Sequence, residues 1–495
     1  MTLIVITALC VSIVIYIFIG FTHSKSVNGL ADILPLVKGR FAKVQGSEEL
    51  SATNVAASIS LATVIVAFFD LVPGLGLWLI WPAVTTALGF LLFALLSKKI
   101  WKRMAAYNHR PSLHEFIGTE FSSPRLAVIA SSCTTLGYLS AFAVELTVGS
   151  RFLAGLISGI PEWVTVIIIA SVGLLYTALG GFRSVVVSDK IQMKFIWLLL
   201  GSLMVYYAYI LFLSSDVHSS VQQIPLVARS FQWNNALIPF IVGIFIMNLF
   251  TYMSNMGLWQ RISGTQDPEI VIKGMKTTVY QSALSWTLFA LVAAGAFLVV
   301  KPVAGQNLLM TMMQSLGTTL PGNIVLFCVT LGLYGAMLST ASTQLIALSH
   351  TLYEDILGAF RKKDILSRIE SKKELSLSRF VLVLSAILAV VVVELLRKSG
   401  FSVADLAFSI YGAALGLVPV ILLSIYLPRT KLASLGIWAN ISVITGFLSA
   451  WVSSFLGKYY NDATGVFLAP VFGLIVSSLF LSVGMLFPKK NKTVI

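Results

Sequence analysis

The sequence predicts an all-α membrane protein of about thirteen transmembrane helices, and three observations carry that prediction. Only 11% of the 495 residues are charged and 57% are hydrophobic, against about a quarter charged in a soluble globular chain. Mean hydropathy is +0.91. Apolar runs of roughly 18 or more residues recur along the whole length, each able to cross about 30 Å of hydrocarbon. A span in lipid must satisfy its own backbone hydrogen bonds, so every run reads as a helix.

In order, the expected spans are 2–22, 49–72, 76–98, 124–150, 161–180, 187–214, 236–258, 275–300, 320–350, 376–397, 402–426, 433–456 and 465–487. No polar stretch between them is long enough for a soluble domain, so residues 1–495 form one integral unit with a short tail at 488–495. The first span lacks a basic region before it, which favours an uncleaved helix over a signal peptide. Lys and Arg check the count independently. Of the 34 basic residues, 28 fall in the tail or in and beside the loops before spans 2, 4, 6, 8, 10 and 12. The densest clusters are Lys98–Arg110 and Arg361–Lys373. The positive-inside rule then puts the N-terminus outside and the C-terminus in the cytoplasm.

The net charge of +14 is carried by these short loops, so it argues for membrane orientation and against nucleic acid. Cys10, Cys133 and Cys328 lie far apart inside apolar spans and read as small buried hydrophobes, not as a disulfide framework or metal site. The histidines show no ligand spacing, and no transition-metal cluster, nucleophile elbow or dinucleotide loop appears. Neither an enzyme nor a cofactor other than a coupling ion is expected, and no obligate protein partner beyond the lipid bilayer.

Two spans are interrupted by small and polar residues. Span 2 carries Ser51-Ala52-Thr53-Asn54-Val55-Ala56-Ala57-Ser58, and span 9 carries Ser339-Thr340-Ala341-Ser342-Thr343. Such runs serve close helix packing; they equally suit a cation site in which an unwound helix frees carbonyls beside hydroxyls. Sodium, a hard cation, takes oxygen ligands. By topology both runs lie in the cytoplasmic half, and Ala336, Ser339, Thr340 and Thr343 share one helical face. That combination favours an ion site.

Intramembrane acids are functional suspects because burying them is costly. Glu145 is the foremost, with pairing to Arg151 or capping by a hydroxyl as the structural alternative. Asp70 and Asp405 lie near outer span ends and read as solvated. Further candidates to line a solute cavity are Asn54, Ser58, Tyr138, Asn248, Tyr252, Asn255 and Tyr411, of which Asn248, Tyr252 and Asn255 share a face of span 7.

At these residues the chain resembles the sodium:solute symporter family. Gly335-Ala336-Met337-Leu338-Ser339-Thr340-Ala341-Ser342 is similar to that family's sodium-binding helix, and Ser51-Ala52-Thr53-Asn54-Val55 to its broken first core helix. Gly180-Gly181-Phe182-Arg183, followed by Asp189-Lys190-Ile191-Gln192, resembles its double-glycine and Asp-x-x-Gln signature. Trp259-Gln260-Arg261, with Asp267 following, resembles the motif after its seventh span. The resemblance implies a 5+5 inverted-repeat core, with 49–214 as the first repeat and 236–426 as the second. Span 2–22 and spans 433–487 would be peripheral. It implies a principal sodium site of Ala52, Val55 and Ala336 carbonyls with Ser339 and Thr340 hydroxyls, and a second position at Asp189, Ser342 and Thr343. Asp189 has a structural alternative as a helix-start acid. Ala56 departs from the Ser common in the family, and Phe68-Phe69-Asp70-Leu71-Val72-Pro73 departs from its glycine-rich stretch, so the solute is not specified. The function implied is import of a small organic solute with Na+ across the cell membrane. A sensor or assembly subunit on the same fold, or proton coupling, are the alternatives. The chain's end soon after span 13 leaves the sensor reading no output domain.

Overall fold

The computed structural model describes residues 1–157, 159–214, 216–301, 307–361, 368–399 and 402–487. The tail 488–495, with Lys362 and Lys363 of one basic cluster, lies outside the described residues. Among the described residues the fold is helical and no strand forms.

Among the described residues, eleven helices are long and apolar enough to cross a membrane, two fewer than the thirteen expected spans. Three of the eleven exceed 40 residues, and two of these also carry a glycine at positive φ. The run Leu61–Met104 has 44 residues and Glu162–Leu213 has 52. At about 1.5 Å per residue they would measure roughly 66 and 78 Å as straight helices, at least twice the hydrocarbon thickness. Each contains a glycine that turns the chain. Gly76 has φ 54° and Gly181 has φ 59° with ψ −150°, backbone that side-chain-bearing residues avoid. A Cβ on Gly76 would sit 1.8 Å from the Val227 carbonyl oxygen, and one on Gly181 2.5 Å from the Ile33 Cα.

The elements that build the site are α1 (Thr2–Ser24), α2 (Ser47–Ser58), α3 (Leu61–Met104), α4 (Leu113–Glu120), α5 (Pro124–Leu156), α6 (Glu162–Leu213), α7 (Ile238–Ser254), α8 (Met256–Gly264), α9 (Pro268–Gly295), α10 (Leu320–His350), α11 (Lys372–Ser399) and α12 (Val403–Tyr426). Their starts are written locally. Ser112, Ser123 and Thr319 accept the amides of Glu115, Leu126 and Gly322 at the heads of α4, α5 and α10, and prolines stand at the first turns of α5, α9 and α10.

Burial ranks the layers. In the span containing α10, 83% of the most apolar window is buried, and in α12 78%, against 33% in α1 and α11. Helix α10 is therefore the central post, with α6 its most extensive partner. Tyr176 of α6 donates to the Leu338 carbonyl of α10 at 3.1 Å. Helix α1 lies outside this pair, packing on both. Cys10 faces outward on α1, so it is not the buried hydrophobe the sequence suggests.

Candidate functional site

Two core helices are interrupted, and both interruptions open onto the same space. Helix α2 ends at Ser58. Ile59 (φ −96°, ψ 85°) and Ser60 (φ −76°, ψ 140°) are extended before α3 begins. Ser60 starts the new helix by accepting the Thr63 amide at 2.8 Å. Helix α7 stops at Asn255 (φ −82°, ψ 102°), and α8 follows at once. Asn255 Oδ1 accepts the Leu258 amide at 3.0 Å and the Tyr138 hydroxyl at 3.2 Å, and Tyr138 Oη accepts the Gly257 amide at 3.2 Å. The break in span 2 thus falls several residues after the Ser51–Val55 run expected to carry it.

Two cavities of about 830 and 840 Å3 meet at these breaks. Both are lined by Ala57, Ser58, Thr251, Tyr252, Asn255 and Tyr411, which form a shared waist. Asn54 and Tyr138 line the first cavity only, and Asn248 the second only. Asn248 also donates to the Pro82 carbonyl and the Thr85 hydroxyl of α3. Tyr252 stacks on Phe90 with ring centroids 3.7 Å apart. Asn54 donates to the Met275 sulfur, and its Oδ1 is buried without a partner.

Glu145 is not among the residues lining either cavity. Its side chain is buried, and its carboxylate accepts the Ser60 hydroxyl at the head of α3. Hydroxyl capping, the structural alternative, is the contact made; Arg151 pairs with Glu162 instead, at 3.4 Å. Asp70 is exposed and takes the Asn307 side-chain amide at 2.6 Å.

The cation-site candidates divide. The Ser339 hydroxyl lies 2.8 Å from the Ala56 carbonyl oxygen and 3.0 Å from that of Ala336. Its single proton serves one at a time. Val55, Ala56, Ala336 and Ser339 are fully buried, and Thr340 Oγ1 is buried with no partner. The last four carbonyls of a helix have no intrahelical partner. In α2 the Ile59 amide just past the end caps two of these, Val55 and Ala56, at 3.2 Å each, so both stand at the open end, while Ala52, half-buried six residues before it, does not. The structure therefore puts Ala56 in direct contact with Ser339, where the sequence favoured Ala52. The available signal was Ser60 just ahead of an apolar run, a helix-start pattern that fixes where α2 must stop.

The second candidate position already holds a cation. Arg261 Nη2 of α8 lies 2.9 Å from Asp189 Oδ2 and 2.8 Å from Thr343 Oγ1, with both charged side chains buried. Ser342 turns instead to the Ser339 carbonyl at 3.3 Å. The alternative of Asp189 as a plain helix-start acid is not what forms, because it sits in the interior of α6.

Residues 44–439 match the model of the sodium:solute symporter family. No curated protein matches the chain. Among solved structures, a substrate-bound, outward-open Na+-coupled sialic acid symporter superimposes with TM-score 0.77 at 16% identity, over 99% of each chain. A nucleobase-cation-symport-1 family transporter, closed with bromovinylhydantoin bound, gives 0.57 at 13% identity over 92% of this chain and 95% of the other. A manganese transporter of Eremococcus coleocola gives 0.54 at 17% identity over 92% and 100%.

Proposed function

The chain belongs to the sodium:solute symporter family, and from that premise we propose that it imports a small organic solute with Na+ across the cell membrane by alternating access. The observation that carries the reading is that both helix breaks line one waist between two cavities. A solute held at that waist touches both broken helices. Rocking of one helix bundle against the other then exposes it to alternate sides. The long runs Leu61–Met104 and Glu162–Leu213 each have length for two crossings, which favours thirteen spans with the N-terminus outside, a 5+5 core over 49–214 and 236–426, and peripheral spans at 2–22 and 433–487.

Na+ would bind between the open end of α2 and α10, with the Val55, Ala56 and Ala336 carbonyls and the Ser339 and Thr340 hydroxyls as ligands. The unpartnered Thr340 oxygen supports this, since a buried acceptor left without a partner is costly. Ala52 would join only if α2 unwound by a further turn. Arg261 fills the space between Asp189 and Thr343, so a single coupling ion is favoured. One ion crossing about 100 mV yields roughly 2.3 kcal/mol, and a tenfold gradient adds about 1.4 kcal/mol. Together they sustain about 500-fold accumulation of a neutral solute, so one Na+ is sufficient.

The test is Na+ binding to purified protein, by thermal stabilisation, with and without added solutes drawn from sugars, vitamins, amines, carboxylates and amino acids. At least one solute should tighten Na+ binding. Sodium binding that no solute alters, together with no Na+-driven uptake in proteoliposomes, would overturn the reading.

A further inference from the structure

We propose that the Glu145 carboxyl group fills the head of the broken helix, so that the transported solute carries no carboxylate and is an uncharged polar compound. The inference rests on the symporter reading above and adds the class of its solute.

In transporters built on discontinuous helices, the half-helix N-terminus presents its positive dipole end and free amides to an anionic group of the substrate. Here the corresponding N-terminus begins at Leu61, runs as continuous helix to Leu75, and opens beside the waist through Ser60 and Thr63. The chain's own side chains already occupy this helix head. The Thr63 amide is bound by Ser60 Oγ at 2.8 Å. The Glu145 carboxylate accepts the Ser60 hydroxyl and faces the Leu61 and Ala62 amides. Glu145 is 1% exposed, and its Oε2 has no hydrogen-bond partner. Ser60, which does line the cavity, therefore gives its proton inward to Glu145 and offers the solute only an acceptor lone pair.

The remainder of the cavity lining supplies no replacement for an anion. Among the described residues lining the two cavities, Arg261 is the one charged side chain, and its guanidinium is matched by Asp189 at 2.9 Å. A carboxylate brought to the waist would meet a helix head already occupied by Glu145 and no side-chain cation free to pair with it. Burying an unmatched charge is strongly unfavourable. Hydroxyls and amides would find Ser58, Asn255, Tyr252 and Tyr411 at the waist, and the Trp286 Nε1 of the second cavity, which is buried without a partner.

Two measurements test this. In the wild-type protein with Na+, thermal stabilisation is compared within matched pairs: gluconate against glucose, nicotinate against nicotinamide, pantothenate against panthenol. Where a pair binds, the uncharged member should bind at least tenfold more tightly, and a carboxylate binding as well as its neutral twin would overturn the proposal while leaving the symporter reading intact. In the Glu145→Ala variant the helix head is vacated, so formate should raise its lowered Tm by at least half of the loss and leave the wild type unchanged. A variant that folds and ignores formate counts against the proposal. If no pair binds at all, the formate result decides alone, and the symporter reading, not this one, bears the failure. If Glu145→Ala does not fold, Glu145→Gln keeps the side chain's shape, and the wild-type pairs decide.

Discussion

Replacing Ser339 by Ala is the sharpest test of the ion site. In the structure this hydroxyl joins the open end of α2 to α10, 2.8 Å from Ala56 O and 3.0 Å from Ala336 O. With Na+ bound, the same oxygen would turn from donor to ligand. A hydrogen-bonding group that serves a charge contributes roughly 1.5–3 kcal/mol, and about 1.4 kcal/mol is a factor of ten. Ser339→Ala should therefore raise the half-saturating Na+ concentration roughly 10- to 150-fold. The assay is Na+-dependent thermal stabilisation at constant ionic strength, with choline replacing Na+. Ser342→Ala is the internal control, because that hydroxyl only reaches the Ser339 carbonyl at 3.3 Å and should leave Na+ binding unchanged. Half-saturation that does not move in a Ser339→Ala, Thr340→Ala double variant would refute the site.

Further outcomes follow from the same geometry. Arg261→Met leaves Asp189 buried and unpaired, which should cost about 3–5 kcal/mol and appear as a lowered Tm; Asp189→Asn in the same background should restore part of it. If Arg261 fills the second position, the wild-type Na+ dependence should fit a Hill coefficient near one, and a value near two would contradict that. Gly181→Ala forces a side chain onto φ 59°, ψ −150° against Ile33, so monodisperse protein recovered by size exclusion should fall sharply. Asp32, in the segment between α1 and α2, is pushed up by burial, but the Arg40 guanidinium at 2.7 Å and the Asn28 and Gly29 amides outweigh this and hold it below the usual carboxylate range. Its contribution is present above the unfolded value of about 3.9 and is lost as pH falls through the lower folded value. Proteolytic cleavage within residues 25–46 should rise only at such acid pH, and Asp32→Asn should make it pH-independent.

The sequence made the spans legible because hydropathy and the basic-loop alternation are local signals, and each survives without knowledge of neighbours. Of the two spans that small polar residues marked as interrupted, span 2 does break, but α10 runs unbroken through Ser339–Thr343 and the other break falls at Asn255 in span 7. The position of the first break was harder to read. Ser51–Ser58 and Ile59–Ser60 are equally compatible with helix by composition, and only the capping of Thr63 by Ser60, reinforced by Glu145 from 85 residues away, decides it. The Arg261–Asp189 bridge spans 72 residues, so two recognisable motifs concealed that one neutralises the other. Glu145 itself was visible as an intramembrane acid, but its direction depends on how α5 packs against the head of α3, which no residue pattern encodes.

The placement of the break has a consequence for coupling. Ala56 faces Ser339 on the ion side of α2, while Ala57 and Ser58, the next two residues, face both cavities. Ion and solute would therefore act on one helix end from opposite flanks, where the Val55 and Ala56 carbonyls share the single Ile59 amide. Fixing that end with Na+ removes an ordering cost from the solute's binding, and the solute returns the same free energy to the ion. A break at Ala52 would have left a further turn of helix between the two ligands and separated their effects. On this geometry a substitution that stiffens the end without touching either ligand should strengthen solute binding most when Na+ is absent. Ala57→Pro is unsuitable, because its ring would clash within α2. The converse change is Ile59→Leu, which removes the β-branch at nearly constant volume, loosens the extended junction, and should steepen the Na+ dependence of solute affinity. Dependence that stays as steep as in the wild type would mean that the coupling runs through α10 instead.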